Sequence, residues 1–118
     1  VINKACDYIM ENCHRNISLE EVAQKVHLSH FYFSRLFKQE KGCNFVDFIT
    51  KVRVDRAKVM LQDPDSTVVQ IAAEVGYQDA SYFCRVFRHA TSMTPKQYRS
   101  EIRKNKTGEE TIQIQSQI

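Results

Sequence analysis

The chain has 118 residues, enough for one compact domain or two very small ones, with 42% hydrophobic and 26% charged residues. No run approaches the roughly 18 apolar residues a membrane-spanning helix needs, and no charged-then-apolar leader opens the chain, so no membrane partner and a cytoplasmic location are expected. Seventeen Lys and Arg against fourteen Asp and Glu leave +3, too small an excess to argue by itself for a nucleic-acid partner.

Val1 is not an initiator residue, as expected of a piece cut from a longer protein. Ile2, Ala5, Cys6, Ile9, Met10 and Cys13 recur at helical spacing and predict a first helix with one apolar face. Asn16 and Ile17 interrupt it. Ser18 with Glu21 three residues on has the pattern of a capping box, in which hydroxyl and carboxylate each accept a helix-end N–H. The helix it opens carries Leu19, Val22, Ala23 and Val26 inward and stops near His27. Ser29 caps a third helix over 30–41, with Phe33, Leu36 and Phe37 inward, Gln39 at the margin, and His30, Phe31, Ser34, Arg35 and Lys38 outward; Gly42 ends it.

From Asn44 to Gln62 the apolar residues Phe45, Phe48, Ile49, Val52, Ala57, Met60 and Leu61 spread over more than one face, the pattern of a helix buried between two bodies. These nineteen residues would form a rod about 28 Å long. Arg53, polar on a helix with buried sides, is expected to be a paired structural charge. Pro64 and the polar run from Asp63 to Ser66 end the rod.

Thr67 caps the next helix, with Val68, Ile71, Ala72 and Val75 on its inner stripe, and Gly76 stands where a left-handed residue closes a helix. Asp79 caps another over 80–90, with Phe83, Val86, Phe87 and Ala90 on one stripe and Ala80, Ser81, Cys84, Arg85 and Arg88 on the opposite one. Tyr32, Tyr82 and Tyr98 read as packing residues with a hydroxyl at the rim. Thr94 and Pro95 start a last helix through Tyr98 and Ile102. From Lys104 onward the apolar pattern fails, which predicts a disordered tail.

The two halves repeat. Ser18, Leu19, Val22, Ala23, Val26 and Leu28 correspond to Thr67, Val68, Ile71, Ala72, Val75 and Tyr77 at an offset of 49, and Ser29, Tyr32, Phe33, Arg35, Leu36, Phe37 and Lys38 match Asp79, Tyr82, Phe83, Arg85, Val86, Phe87 and Arg88 at 50. Two short helices at a tight turn, twice over, predict an all-α fold of about seven helices: a first helix-turn-helix unit over 1–43, a linking helix over 44–63, a second unit over 64–103 and a tail over 104–118.

Positive charge gathers on the repeated segments: Arg35, Lys38 and Lys41 against Glu40, and Arg85, Arg88, Lys96 and Arg99 against Asp79. Arg35 and Arg85 carry planar forks that can donate two hydrogen bonds to a guanine edge; a phosphate contact or a surface ion pair is the alternative for each. Lys38 and Arg88, one turn on, suit phosphates. Phe31 suits a thymine methyl or the core, His30, Ser34 and Ser81 are candidate hydrogen-bonding readers, and Ser18 and Thr67 cap helix N-termini that also suit phosphate.

Cys6, Cys13, Cys43 and Cys84 show no metal-ligand spacing and are expected as thiols. His27, His30 and His89 are scattered, so no metal and no cofactor are expected. An enzyme would need a convergent acid, base or nucleophile set, and none is visible. A helical protein-interaction module without specific DNA binding remains the alternative, though it leaves the paired arginines unexplained.

Three runs, Ile71 to Tyr77, Ser81 to Arg88 and Thr94 to Arg99, together with Ser18 to Ala23, Leu28-Ser29, Ser34 to Lys38, Arg53 and Ala57, closely resemble the signature of AraC/XylS-type bacterial transcription regulators. The resemblance covers roughly residues 3–103, and one position departs from it, Ser92, where the family usually has glycine. It implies two helix-turn-helix units entering successive major grooves of double-stranded DNA, with His30, Phe31, Ser34 and Arg35 facing bases in the first and Ala80, Ser81, Cys84 and Arg85 in the second. It also implies a sensing or receiver domain elsewhere in the full chain and activation through contact with RNA polymerase.

Overall fold

The computed structural model describes residues 1–104, which form seven helices and no strand. They are α1 (Ile2–Asn12), α2 (Leu19–Lys25), α3 (His30–Lys41), α4 (Phe45–Met60), α5 (Val68–Glu74), α6 (Ala80–Thr91) and α7 (95–104). The tail expected over 104–118 lies outside the described residues except for Lys104, which is helical.

Every described helix after α1 starts where a short polar side chain accepts a free N–H group of its first turn. Ser18, Ser29, Asn44, Thr67 and Asp79 all do so. The capping box expected at Ser18 is only half made: the Ser18 hydroxyl accepts from Glu21 N–H, while the Glu21 carboxylate goes chiefly to Arg15 and Tyr8. Complete boxes form in the second half, where Thr67 and Gln70 exchange bonds of 3.1 Å, and at α7, where Thr94 and Gln97 do the same ahead of a buried Pro95.

The two helix-turn-helix turns share one geometry. Leu28 N–H donates to Ala23 O and His27 N–H to Gln24 O; Tyr77 N–H donates to Ala72 O and Gly76 N–H to Ala73 O. This doubled pattern closes a helix around a left-handed residue, and both His27 (φ +60°) and Gly76 (φ +111°) are left-handed. The ends of α3 and α6 repeat the theme with Gly42 (φ +76°) and Ser92 (φ +67°). Ser92, where the resembling family usually has glycine, therefore keeps the turn without one.

Two hydrophobic cores result, with no residue in common. The first joins Ile2, Ala5 and Ile9 of α1, Val22 and Ala23 of α2, Phe33 and Phe37 of α3, and Phe45, Ile49 and Val52 of α4. The second joins Val54, Ala57 and Leu61 to Ile71, Ala72, Val75, Tyr77, Phe83 and Phe87. Val52 and Val54 lie about 200° apart around the α4 axis, so the helix changes the face it buries at Arg53. That is the physical content of apolar residues on more than one face. With 16 residues in place of the expected nineteen, α4 is about 24 Å long.

Several inward assignments shift. Met10 and Ala90 are exposed, as is Gln39. Tyr32 and Tyr82 are 53% and 51% exposed and are surface residues, whereas Tyr77 is the buried tyrosine and Tyr98 packs edge-on against Phe87.

Candidate nucleic-acid interface

The faces of α3 and α6 that point away from the cores are the candidate interface. In each helix two phenylalanines one turn apart, Phe33 with Phe37 and Phe83 with Phe87, are fully buried and fix which face is left to solvent. On α3 that face presents His30, Phe31, Ser34, Arg35 and Lys38, all exposed. Phe31 is 72% exposed, so of its two readings the core one is excluded; its ring lies 4.0 Å from that of His30.

The α6 face is narrower. Ser81, Arg85 and Arg88 are exposed, but Ala80 and Cys84 are half-buried and pack against the second core. Ala80 stands one turn before Phe83 and Cys84 one turn after Ala80, so both lie at the edge of the buried stripe. Arg85 lies over the exposed ring of Tyr82 at 5.8 Å, an attraction that orders the guanidinium without removing its donors from solvent. Ser18 and Thr67 are exposed at the starts of α2 and α5, with their oxygens accepting backbone N–H groups.

Tyr32 and Tyr82, absent from the sequence-level candidates, occupy equivalent exposed positions on the two faces. The signal was present in the repeat: both tyrosines persist at the 50-residue offset while their immediate neighbours Phe31 and Ser81 differ.

Two arginines leave the charged surface instead. Arg99, counted among the basic residues of the second segment, turns inward and donates to the carbonyls of Leu61 (3.0 Å), Asp63 (3.0 Å) and Ser66 (2.5 Å), closing the end of α4. Arg53 does the same for the end of α1, donating to Cys13 O (2.8 Å) and Arg15 O (2.9 Å). The charge partner expected for Arg53 is thus a pair of carbonyl oxygens at a helix C-terminus, where partial negative charge collects, and not a carboxylate.

One charge cluster lies behind the first unit. Arg15 and Tyr8 both donate to the Glu21 carboxylate, and these bonds, Arg15's foremost, hold its carboxyl down at about 2. The same cluster raises Tyr8 above its ordinary value, chiefly through the Glu21 bond. It ties α1 to α2 and does not touch the exposed faces.

Comparison with known proteins matches this architecture. The helix-turn-helix domain family matches residues 22–101. The regulatory protein PocR of Salmonella typhimurium is 38% identical over 104 residues, covering 88% of this chain and 34% of that protein. The chain spans about a third or less of the length of the curated relatives it matches. Among solved structures, the C-terminal domain of AraT, a response regulator from Geobacillus stearothermophilus, superposes with a TM-score of 0.81 at 34% identity, over 85% of this chain and 84% of that one. The DNA-binding domain of the global transcriptional factor AdpA, solved with a target DNA, shares the fold with a TM-score of 0.82 at 22% identity, over 88% of this chain and 94% of that one. An AraC-type domain from Chromobacterium violaceum aligns at 26% identity with a TM-score of 0.78, over 84% and 88% of the two chains. The chain belongs to the AraC-type helix-turn-helix family of DNA-binding domains.

Proposed function

We propose that this chain is the output module of a bacterial transcription regulator and reads double-stranded DNA with α3 and α6 in successive major grooves on one side of the duplex. The observation that carries the proposal is the repeated exposed face, held outward by the Phe33–Phe37 and Phe83–Phe87 pairs and bearing an arginine at the same place in each unit, Arg35 and Arg85. Base edges are read by His30, Phe31, Ser34 and Arg35 in one groove and by Ser81 and Arg85 in the other, with Ala80 and Cys84 supplying close apolar contact. Lys38, Arg88 and the α2 and α5 starts at Ser18 and Thr67 meet phosphates, and the Tyr32 and Tyr82 hydroxyls join them. A sensing or receiver domain in the same full-length polypeptide controls the module, which acts in the cytoplasm and contacts RNA polymerase.

The test is selection of bound duplexes from a random pool by this chain at moderate salt. Two information-rich patches centred about ten base pairs apart are expected. Weak binding without enrichment, vanishing as salt rises, would leave only phosphate attraction and favour a helical protein-interaction module.

A further inference from the structure

The two units share no core residue, yet the Arg53 side chain touches both, while Arg56 on the same helix also donates to Cys13 Sγ and Met10 O. Arg53 stands on α4 where the buried face changes from the first core to the second. Its Nε and Nη2 are bonded to Cys13 O and Arg15 O, at the end of α1 in the first unit. The same guanidinium lies 4.9 Å over the ring of Tyr77, in the turn of the second unit. Tyr77 packs in turn on Phe83 (5.7 Å) and Tyr82 (5.8 Å), both on α6. Gly76 completes the junction: a Cβ there would stand 2.6 Å from Cys13 O and 3.0 Å from the Arg53 guanidinium, so the second turn is seated directly on the end of α1. Beside this junction the units are held apart by a cleft of about 690 Å³, lined by Arg15, Phe45 and Ile49 on one side and Gly76, Tyr77 and Tyr82 on the other.

We propose that Arg53 is a positioning residue for two-site DNA reading: by clamping the end of α1 to the Tyr77 turn, it fixes the angle between α3 and α6 and so sets the one half-site spacing at which both units dock. The proposal rests on the reading of α3 and α6 as recognition helices. Its physical basis is the cost of ordering. A helix alone can bend, and open space on one side of a junction lets two bodies rock, whereas a fork bonded to two carbonyls and stacked on a buried ring has one geometry. When the second unit docks from a fixed angle, its binding is intramolecular at high effective concentration; a rocking unit loses that advantage without losing a single DNA contact.

The experiment uses duplexes recovered by selection with this chain: the two-patch duplex, the same duplex with either patch scrambled, and versions with one base pair added or removed between the patches. Wild type is compared with Arg53→Lys, which keeps charge but loses the fork, and with Tyr77→Leu, which keeps the Arg53 carbonyl bonds and an apolar side chain against Phe83 but removes the ring under the guanidinium. For both variants the expected result is a fall of roughly ten-fold in two-patch affinity, with single-patch affinity within about two-fold of wild type. The wild-type penalty for altered spacing is expected to shrink in the variants, a change that loss of folded protein cannot produce. Parallel losses on two-patch and one-patch duplexes, or no loss on either, would overturn the clamp while leaving the DNA-reading assignment standing. If wild type itself binds two-patch and scrambled duplexes alike, the assignment fails and the clamp with it.

Discussion

The roles of individual residues divide by what they face. Arg85 points to solvent beside Tyr82, and Lys38 lies one turn beyond Arg35 on α3. Arg85→Ala is expected to relax preference at one base position by about 1–3 kcal/mol. Lys38→Ala should instead weaken all sequences alike and reduce the slope of log K against log salt by about one; titrations of matched and mismatched duplexes at several salt concentrations separate the two. Backbone demands are equally local. His27 and Ser92 hold left-handed conformations that cost a residue with a Cβ about 1 kcal/mol. His27→Gly and Ser92→Gly are each expected to raise stability by up to about that amount in urea melts, while Gly76→Ala, which must displace the Cys13 carbonyl, should lower it by more. Glu21 gives the pH dependence. Its folded carboxyl sits at about 2 against 4.5 unperturbed, so its contribution is complete above pH about 4.5 and is lost as pH falls toward about 2. The stability gap between wild type and Glu21→Gln, followed by thermal melting, should therefore close on acidification through that window.

At the scale of elements, α4 governs the outcome. Its first half is part of one core and its second half part of the other. Ile49→Ala and Leu61→Ala should each cost about 2–5 kcal/mol, with hydrogen-exchange protection lost mainly in α1–α3 for the first and in α5–α6 for the second. Much of this was legible in the sequence, because helical spacing and caps are local properties. The polar residue before each helix after α1 and the paired phenylalanines of α3 and α6 locate the elements and their inner faces. What was not legible depends on partners far along the chain. Glu21 has the spacing of a capping box, yet Arg15 and Tyr8 compete for its carboxylate. Ala80 and Cys84 are a different case: Ala80, three residues before Phe83, and Cys84, four after Ala80, border the buried stripe, as helical spacing itself implies. Arg53 and Arg99 perform the same task, each closing the helix three before its own, from positions 46 apart, which the 50-residue repeat does not equate. No comparison of the two halves could have paired them.

Over the whole molecule the exposed faces are unlike: His30, Phe31 and Ser34 on one against Ala80, Ser81 and Cys84 on the other. A duplex read by both should therefore have a direction. Inverting one patch of a selected duplex while keeping the spacing is expected to lower affinity at least about ten-fold, measured by competition, since each mismatched pair costs about 1–3 kcal/mol. The separation of the two cores explains how such unlike faces came to sit on one backbone plan. A substitution that repacks one core leaves the residues of the other in place, so either half can change without the other having to follow. On the proposed reading, changing the exposed face of one half should then shift preference in one patch of a selected duplex while the other patch is kept.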